Sequence, residues 1–406
     1  PDFGSSSDAA SAPTLMGRLK KKVEDYQAYR TEIQIPELDT NLPQTSAVIK
    51  RELDAMGIPY KQNTKDSGII ALIQGKNAGK CIAIRADMDA LPIKEETGLP
   101  FASQNGCMHA CGHDSHAAML LGTAKVLNQC KDKINGSVKL IFQTAEETAR
   151  GAEIMIEEGA LENPKVDALI GLHIGSIYAK EVSLGNAAIV PGTIMASYDK
   201  FIIKVKGHGC HGSTPEKGVD PIAISATIIS ALQNIVSREI SATLPAVITI
   251  GQIHGGFAYN IIPDDVTMEG TIRATSQEVR QMLSDRICQI SKAIASSAKA
   301  EVEYEIIWGA PPVVNDINIV RTVQKAAERI IGEENIVSSF TAPNMGGEDV
   351  AHYLQQVPGA FFFLGSNNPA KHTDIPHHNC KFDIDEDVMW KGSAIFAESV
   401  FEFLNQ

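Results

Sequence analysis

Residues 80–90 read KCIAIRADMDA and residues 137–145 read SVKLIFQTA, with HAAMLLGTAKVLNQC (116–130) between them. The flanking stretches are apolar runs of strand length, and the middle one repeats its apolar residues at helical spacing. Strand, helix, strand in that order predicts a parallel pair joined by a crossover helix. The alternation extends both ways. Upstream, GIIALIQG (68–75) reads as a strand, and TSAVIKRELDAMG (45–57) as a helix with Val48, Leu53 and Met56 apolar and a stop at Gly57. LMGRLKKKVEDYQAYRTEI (15–33) has helical period before that. Downstream, a helix at GAEIMIEEGAL (151–161) and a strand at VDALIGLHI (166–174) complete the series. The predicted class is α/β, a mostly parallel sheet covered by helices on both faces.

The pattern changes between Pro191-Gly192 and Gly309-Ala310-Pro311-Pro312. Inside that window the reading is a strand (199–207), a helix (220–239), two strands (246–255 and 264–274), a helix (276–298) and a strand (301–308). That order, β-α-β-β-α-β, is the ferredoxin-like arrangement. Its third strand sets Val266, Met268, Gly270 and Ile272 against Asp265, Thr267, Glu269 and Thr271, which predicts a sheet with one wet face. After residue 312 a helix near 317–331, the strand GAFFFLG (359–365) and a helix from about Glu386 to Leu404 resume the first style. The expected organisation is a catalytic domain over 15–191 and 309–406, an inserted lid or dimerisation domain over 192–308, and a flexible lead-in over 1–14. Proline and glycine at both crossings suit a hinge.

Composition narrows the function. Thirty-six basic against forty-nine acidic residues leave a formal charge of −13, without the basic footprint that phosphate backbones require, so nucleic acid is not an expected partner. No run approaches the roughly 20 apolar residues of a membrane span. Seven scattered cysteines among 406 residues do not form the framework of a small secreted domain, and a reducing compartment, the cytoplasm, is expected. A signal peptide removed in processing stays open beside that expectation.

The richest segment is CMHACGHDSHAAML (107–120). Cys111 and His113 are two apart, so a helix would aim them at different faces, whereas a tight turn can point both at one place. Asp114 is expected to cap the helix that follows. A Cys-x-His beside further histidines suits zinc, or manganese where carboxylates join. Glu146 and Glu147 follow a strand, and their side chains diverge, so one can ligate while its neighbour faces a substrate. His173 closes another strand-like run, and His377-His378 follow a third. Open α/β sheets bind ligands at the carboxyl ends of their strands. Cys111, His113, Glu147, His173 and one of His377/His378 can together supply two divalent ions. Coordination lowers the pKa of a water to about 7, and an unligated Glu146 can take its proton and return it to a leaving amine. Amide hydrolysis is the expected chemistry. Each residue taken singly also has a structural reading: a buried cysteine, a backbone-bonded histidine, a solvated Glu pair.

RADMDALP (85–92), MHACGHDSH (108–116), FQTAEE (142–147), GLH (171–173), NIIPD (260–264), GTIRAT (270–275), MGGEDV (345–350) and HHNCKFDIDED (377–387) occur in one ordered series. Over roughly residues 30–404 the chain resembles the di-metal aminoacylase and hippurate hydrolase family, in the branch of the indole-acetyl-amino-acid hydrolases. The resemblance implies Cys111, His113, Glu147, His173 and His378 as ligands of two divalent ions (zinc or manganese, with cobalt or nickel as further options). It implies Glu146 as general base and acid and His211, in GHGCHGSTP (207–215), as a group reaching the reacting carbonyl. It further implies Asn260, Arg273 and Gly347 as substrate contacts, the Arg273 fork gripping a free carboxylate. N-acyl amino acids or short peptides are the implied substrates, and a homodimer through the inserted domain occurs in relatives. Asp87 and Asp89 are expected to orient ligands, while His208, His254, His352 and His372 read as structural or surface residues. The chain departs from the family pattern at Gln34, Leu42-Pro43, Thr144 and Cys210, none of them an implied ligand. Two other classes compete. Cys111 as a thiolate nucleophile with His113 as base is hindered by their spacing, and a degenerate relative acting as a binding scaffold would need the ligand set to be idle.

Overall fold

The strand Asn77–Asp87, which carries the KCIAIRAD run, lies inside an eight-stranded sheet. The computed structural model describes residues 23–33, 35–178 and 180–405, so the expected lead-in and Gln34 lie outside the described residues. The strand order is Tyr60–Gln62, Ile69–Gln74, Asn135–Gln143, Asn77–Asp87, Ala168–Gly175, Gly359–Gly365, Ala187–Ala188 and Ile336–Val337. The four central strands run parallel, with Asp87 level with Gln143 and His173 level with Phe363. Antiparallel pairing enters at Ile69–Gln74 and at Ala187–Ala188. Gly136–Gln143, Ala168–Ile174 and Gly359–Gly365 are buried at every position, as strands covered on both faces must be. Four parallel strands therefore deliver their carboxyl ends to one edge of the sheet.

Helix boundaries follow local chemistry. Pro43 opens Pro43–Met56, the Glu37 carboxylate accepts the Thr45 amide at 2.9 Å, and Gly57 closes the helix at φ +64°. The helix expected from His116 begins three residues earlier, as His113–Gln129. Gly112, at φ +88°, makes the turn into it, a conformation a side chain would strain. Asp114 is thus inside the helix and is not its cap; its carboxylate is taken by Arg30, 2.8 Å away.

Contact density divides the chain into two compact units. One runs through Pro191 and takes in Asn315–Phe340 and the residues from Tyr353 on. The other comprises Gly192–Val314 together with Thr341–His352, the segment that carries MGGEDV. In the second unit, Asp199–Lys206, Ala246–Gly255, Asp265–Ala274 and Glu301–Ile307 form an antiparallel sheet, with helices Pro221–Asn234 and Gln277–Ser297 completing β-α-β-β-α-β. Asp220 and Ser276 cap those helices through their side chains. Phe201, Ile203, Val205, Val266, Met268 and Ile272 pack beneath Ile228, Leu232, Leu283 and Ile287, leaving the opposite face wet. No helix among the described residues is long and apolar enough to cross a membrane.

Candidate active site

At the carboxyl edge of the large sheet, three trios of side chains bring donor atoms within 4.8 Å of one another: Cys111, His113 and His173, all buried; Cys111, Glu147 and His378, the last exposed; and His113, Glu146 and Glu147. The first two share Cys111. Each member arrives by a different route. Cys111 and His113 flank the Gly112 turn, His173 stands on Ala168–Gly175, and Glu146 and Glu147 leave Asn135–Gln143 through Ala145 at φ +53°. His378 also holds a left-handed backbone, at φ +61°, and its amide donates to Ala110 O at 2.8 Å. Strained non-glycine residues at both turns fit a surrounding structure built to hold these side chains in place.

The imidazoles are oriented by what their other nitrogens touch. His113 Nδ1 lies 3.0 Å from Asp89 O, and His173 Nδ1 lies 2.7 Å from Ile174 O. A carbonyl can only accept, so each Nδ1 carries the proton and each Nε2 lone pair is left for the site. His113 Nε2 is buried without a hydrogen-bond partner among the described residues, and His173 Nε2 sits 3.3 Å from Cys111 Sγ. The surroundings of the two candidates at 377 and 378 differ. His377 Nε2 accepts the Ser176 amide at 3.0 Å, whereas His378 Nε2 lies 3.4 Å from Glu147 Oε1. An unpartnered buried nitrogen, a thiol, two carboxylates and further imidazoles form a donor set that fits borderline divalent cations.

The sequence marks Asp87 and Asp89 as orienting groups without dividing the work between them, and it gives His116 no role. Asp87 is fully buried; its Oδ2 accepts from Arg85 Nη1 at 2.7 Å and its Oδ1 meets His116 Nδ1 at 2.5 Å. His116 Nε2 in turn accepts the Ile174 amide at 2.9 Å, next to His173. Although Asp87, His113 and His116 also form a compact trio, the first and last already bond to the protein and serve as supports. Asp89 accepts the amides of Glu146 (3.0 Å) and Glu147 (3.2 Å), setting both carboxylates from below. The signal in the sequence was the DMD spacing at the strand end, which shows two acids but not their partners. Thr144, a departure from the family pattern, bonds Asp66 through its hydroxyl.

Burial and neighbouring charge polarise the cluster. Burial pushes the Cys111 thiol up to about 12, and the Glu147 carboxylate adds to that. Burial also holds His173 well below the usual imidazole range, reinforced by His116 and His377. For His113 burial works the other way from Asp87, Cys111 and Asp89, which prevail and raise it. Burial opposes ionisation of Glu147, but His378 and His113 outweigh it and keep the carboxylate low.

The remaining residues singled out from sequence belong to the second unit. His211 pairs with Ile261, Gly212 N donates to Asn260 O at 2.8 Å, and Ser213 Oγ lies 2.7 Å from His211 Nδ1, so His211 and Asn260 are neighbours on an exposed two-stranded ribbon. Arg273 is partly buried, its guanidinium 5.3 Å from the Tyr198 ring centroid, with no hydrogen bond or ion pair among the described residues. A side chain at Gly347 would begin 1.9 Å from that same ring. Arg273, Tyr198 and Gly347 therefore form a second local group.

The model of Peptidase family M20/M25/M40 matches residues 83–402. An N-acetyl-L-cysteine deacetylase of Bacillus subtilis (strain 168) is 39% identical over 398 residues, 97% of this chain and 91% of the relative. The IAA-amino acid hydrolase ILR1-like 5 of Arabidopsis thaliana is 34% identical over 410 residues, 98% of this chain and 92% of the relative. Among solved structures, the Bacillus subtilis YXEP protein, described as a dinuclear metal binding peptidase, superposes with a TM-score of 0.82 at 35% identity, covering 95% of this chain and 99% of that one.

Proposed function

The chain belongs to Peptidase family M20/M25/M40, and from that premise we propose that it is a di-metal amidohydrolase cleaving N-acyl amino acids into a carboxylic acid and a free amino acid. The observation that carries this is the pair of donor trios sharing Cys111, with the Glu146 carboxylate 3.9 Å from His113 Nε2 yet outside both. Cys111, His113, Glu147, His173 and His378 are the proposed ligands, and zinc or manganese the proposed ions. Two divalent ions held there supply Lewis-acid polarisation of the carbonyl and an acidic water. Glu146 takes a proton at its carboxylate and returns it to the leaving amine. His211 is assigned to the reacting carbonyl, Asn260 to substrate oxygen, and Arg273, whose fork makes no ion pair among the described residues and lies by the Tyr198 ring, to the free carboxylate. Gly347 leaves the space that the Tyr198 ring occupies.

The decisive substitution is Glu146→Gln. It is expected to keep both ions by elemental analysis and to lower kcat about 10³-fold on N-acetyl, N-benzoyl or indole-acetyl amino acids. Retained turnover would remove Glu146 from the mechanism. Absence of hydrolysis across that panel and across dipeptides would favour the scaffold reading. We also assign a homodimer to the second unit, on the exposed segment after the edge strand Ala246–Gly255, where Phe257 is 81% and Tyr259 fully exposed. Light scattering that reads a monomer at micromolar concentration would overturn that. The seven free cysteines suit the cytoplasm as the compartment.

A further inference from the structure

Arg30 has no place in the mechanism, yet few side chains in the molecule are tied so heavily. It is 4% exposed near the end of the helix Val23–Ile33. Its Nε donates to Asp114 Oδ2 at 2.8 Å, Nη1 to Glu386 Oε1 at 2.6 Å and Nη2 to Asp383 Oδ1 at 2.8 Å, while the Phe101 ring lies 5.6 Å from its central carbon. Three carboxylates converge on one guanidinium, two of them from a single short segment.

What those carboxylates belong to gives the contact its meaning. Asp114 directly follows His113, and Asp383 and Glu386 lie on HHNCKFDIDED, the motif that carries His378. The same two segments meet a second time where His378 N donates to Ala110 O. They are held together at the front by one backbone bond and behind it by the Arg30 fork. We infer that Arg30 is a positioning residue for the metal centre, clamping the His113 turn to the His378 loop so that their ligands stay within reach of one another. Partners behind a ligand typically govern metal affinity about 10- to 100-fold. Lysine cannot replace it here, because a single ammonium does not present donors in a planar fork.

This rests on the di-metal reading, and the test keeps the two apart. Co²⁺ is titrated into metal-free full-length wild type, Arg30→Lys and Glu386→Gln, following the thiolate-to-cobalt charge-transfer absorption that Cys111 ligation produces; Tm of each metal-free form is read in parallel. Arg30→Lys is expected to weaken Co²⁺ binding about 10-fold, and Glu386→Gln to weaken it less. Variants with lowered Tm but wild-type Co²⁺ affinity overturn the inference and leave Arg30 a fold staple. Should Arg30→Lys not fold, Glu386→Gln decides by the same criterion. A wild type that gives no thiolate band overturns the di-metal reading itself, and this inference with it.

Discussion

The two units bury their chemistry differently. In the first, most of the acids and imidazoles are sunk in the sheet edge: Asp87, His113, His116 and His173 are all buried, only His378 standing exposed, and Arg85, at 1% exposure, is among the largest fully buried side chains. In the second, His211 and Asn260 are exposed and Arg273 is only partly covered. Burying polar groups costs free energy unless each is bonded or paired, so the first unit's cluster requires its supports, and the supports reveal what each atom is left to do. The ring of exposed His211 is met by Ser213, two residues along the same turn, a local contact that carries no such record. What a buried donor is free to do is legible from geometry; what an exposed group does is not.

The sharpest way to break this contrast is to take the ions away. Chelation is expected to cut turnover at least about 10³-fold, with Zn²⁺, Mn²⁺ or Co²⁺ restoring it. The two tryptophans report on separate units, Trp390 on the first and Trp308 on the second. A Trp308→Phe protein, lit by Trp390, should show a Tm that rises with added ion, since a ligand of the native state stabilises it by mass action. A Trp390→Phe protein, lit by Trp308, should show a smaller rise. Equal rises would mean that the ions stabilise both units alike.

A smaller effect is expected at Arg273. Arg273→Met should raise KM about 10- to 100-fold, the worth of a charge-assisted contact of about 1.5–3 kcal/mol, while kcat changes less. The substrate carboxamide, which lacks the anion, should be hydrolysed equally by both enzymes; a persistent difference would place Arg273 elsewhere than on the carboxylate. The smallest effect concerns Tyr304, whose hydroxyl lies 2.9 Å from Ser284 Oγ. Burial pushes this phenol up to about 12. A folded value above the unfolded one of about 10 stabilises the protein below pH 10, and that contribution is lost as pH rises from 10 towards 12. Tyr304→Phe should lower stability at pH 8 by about 1 kcal/mol through the lost bond and flatten the alkaline decline in urea melts. An unchanged slope would show that Tyr304 is not its source.

Much of this was legible in one dimension. Apolar runs such as SVKLIFQTA and the alternation of 265–272 depend on local periodicity, so the parallel sheet and the inserted β-α-β-β-α-β unit could be read directly. Residue type likewise marked the donors, because few side chains bind divalent cations. Asp114 misled because its cap geometry is local while its actual partner, Arg30, lies 84 residues away. The division of labour between Asp87 and Asp89 and the support given by His116 were open for the same reason. Each turns on which atom a distant backbone group or carboxylate already engages. Local pattern determined the elements and the kinds of candidate donor; the meeting of remote segments at one sheet edge decided which nitrogen, and which oxygen, each donor has left to offer.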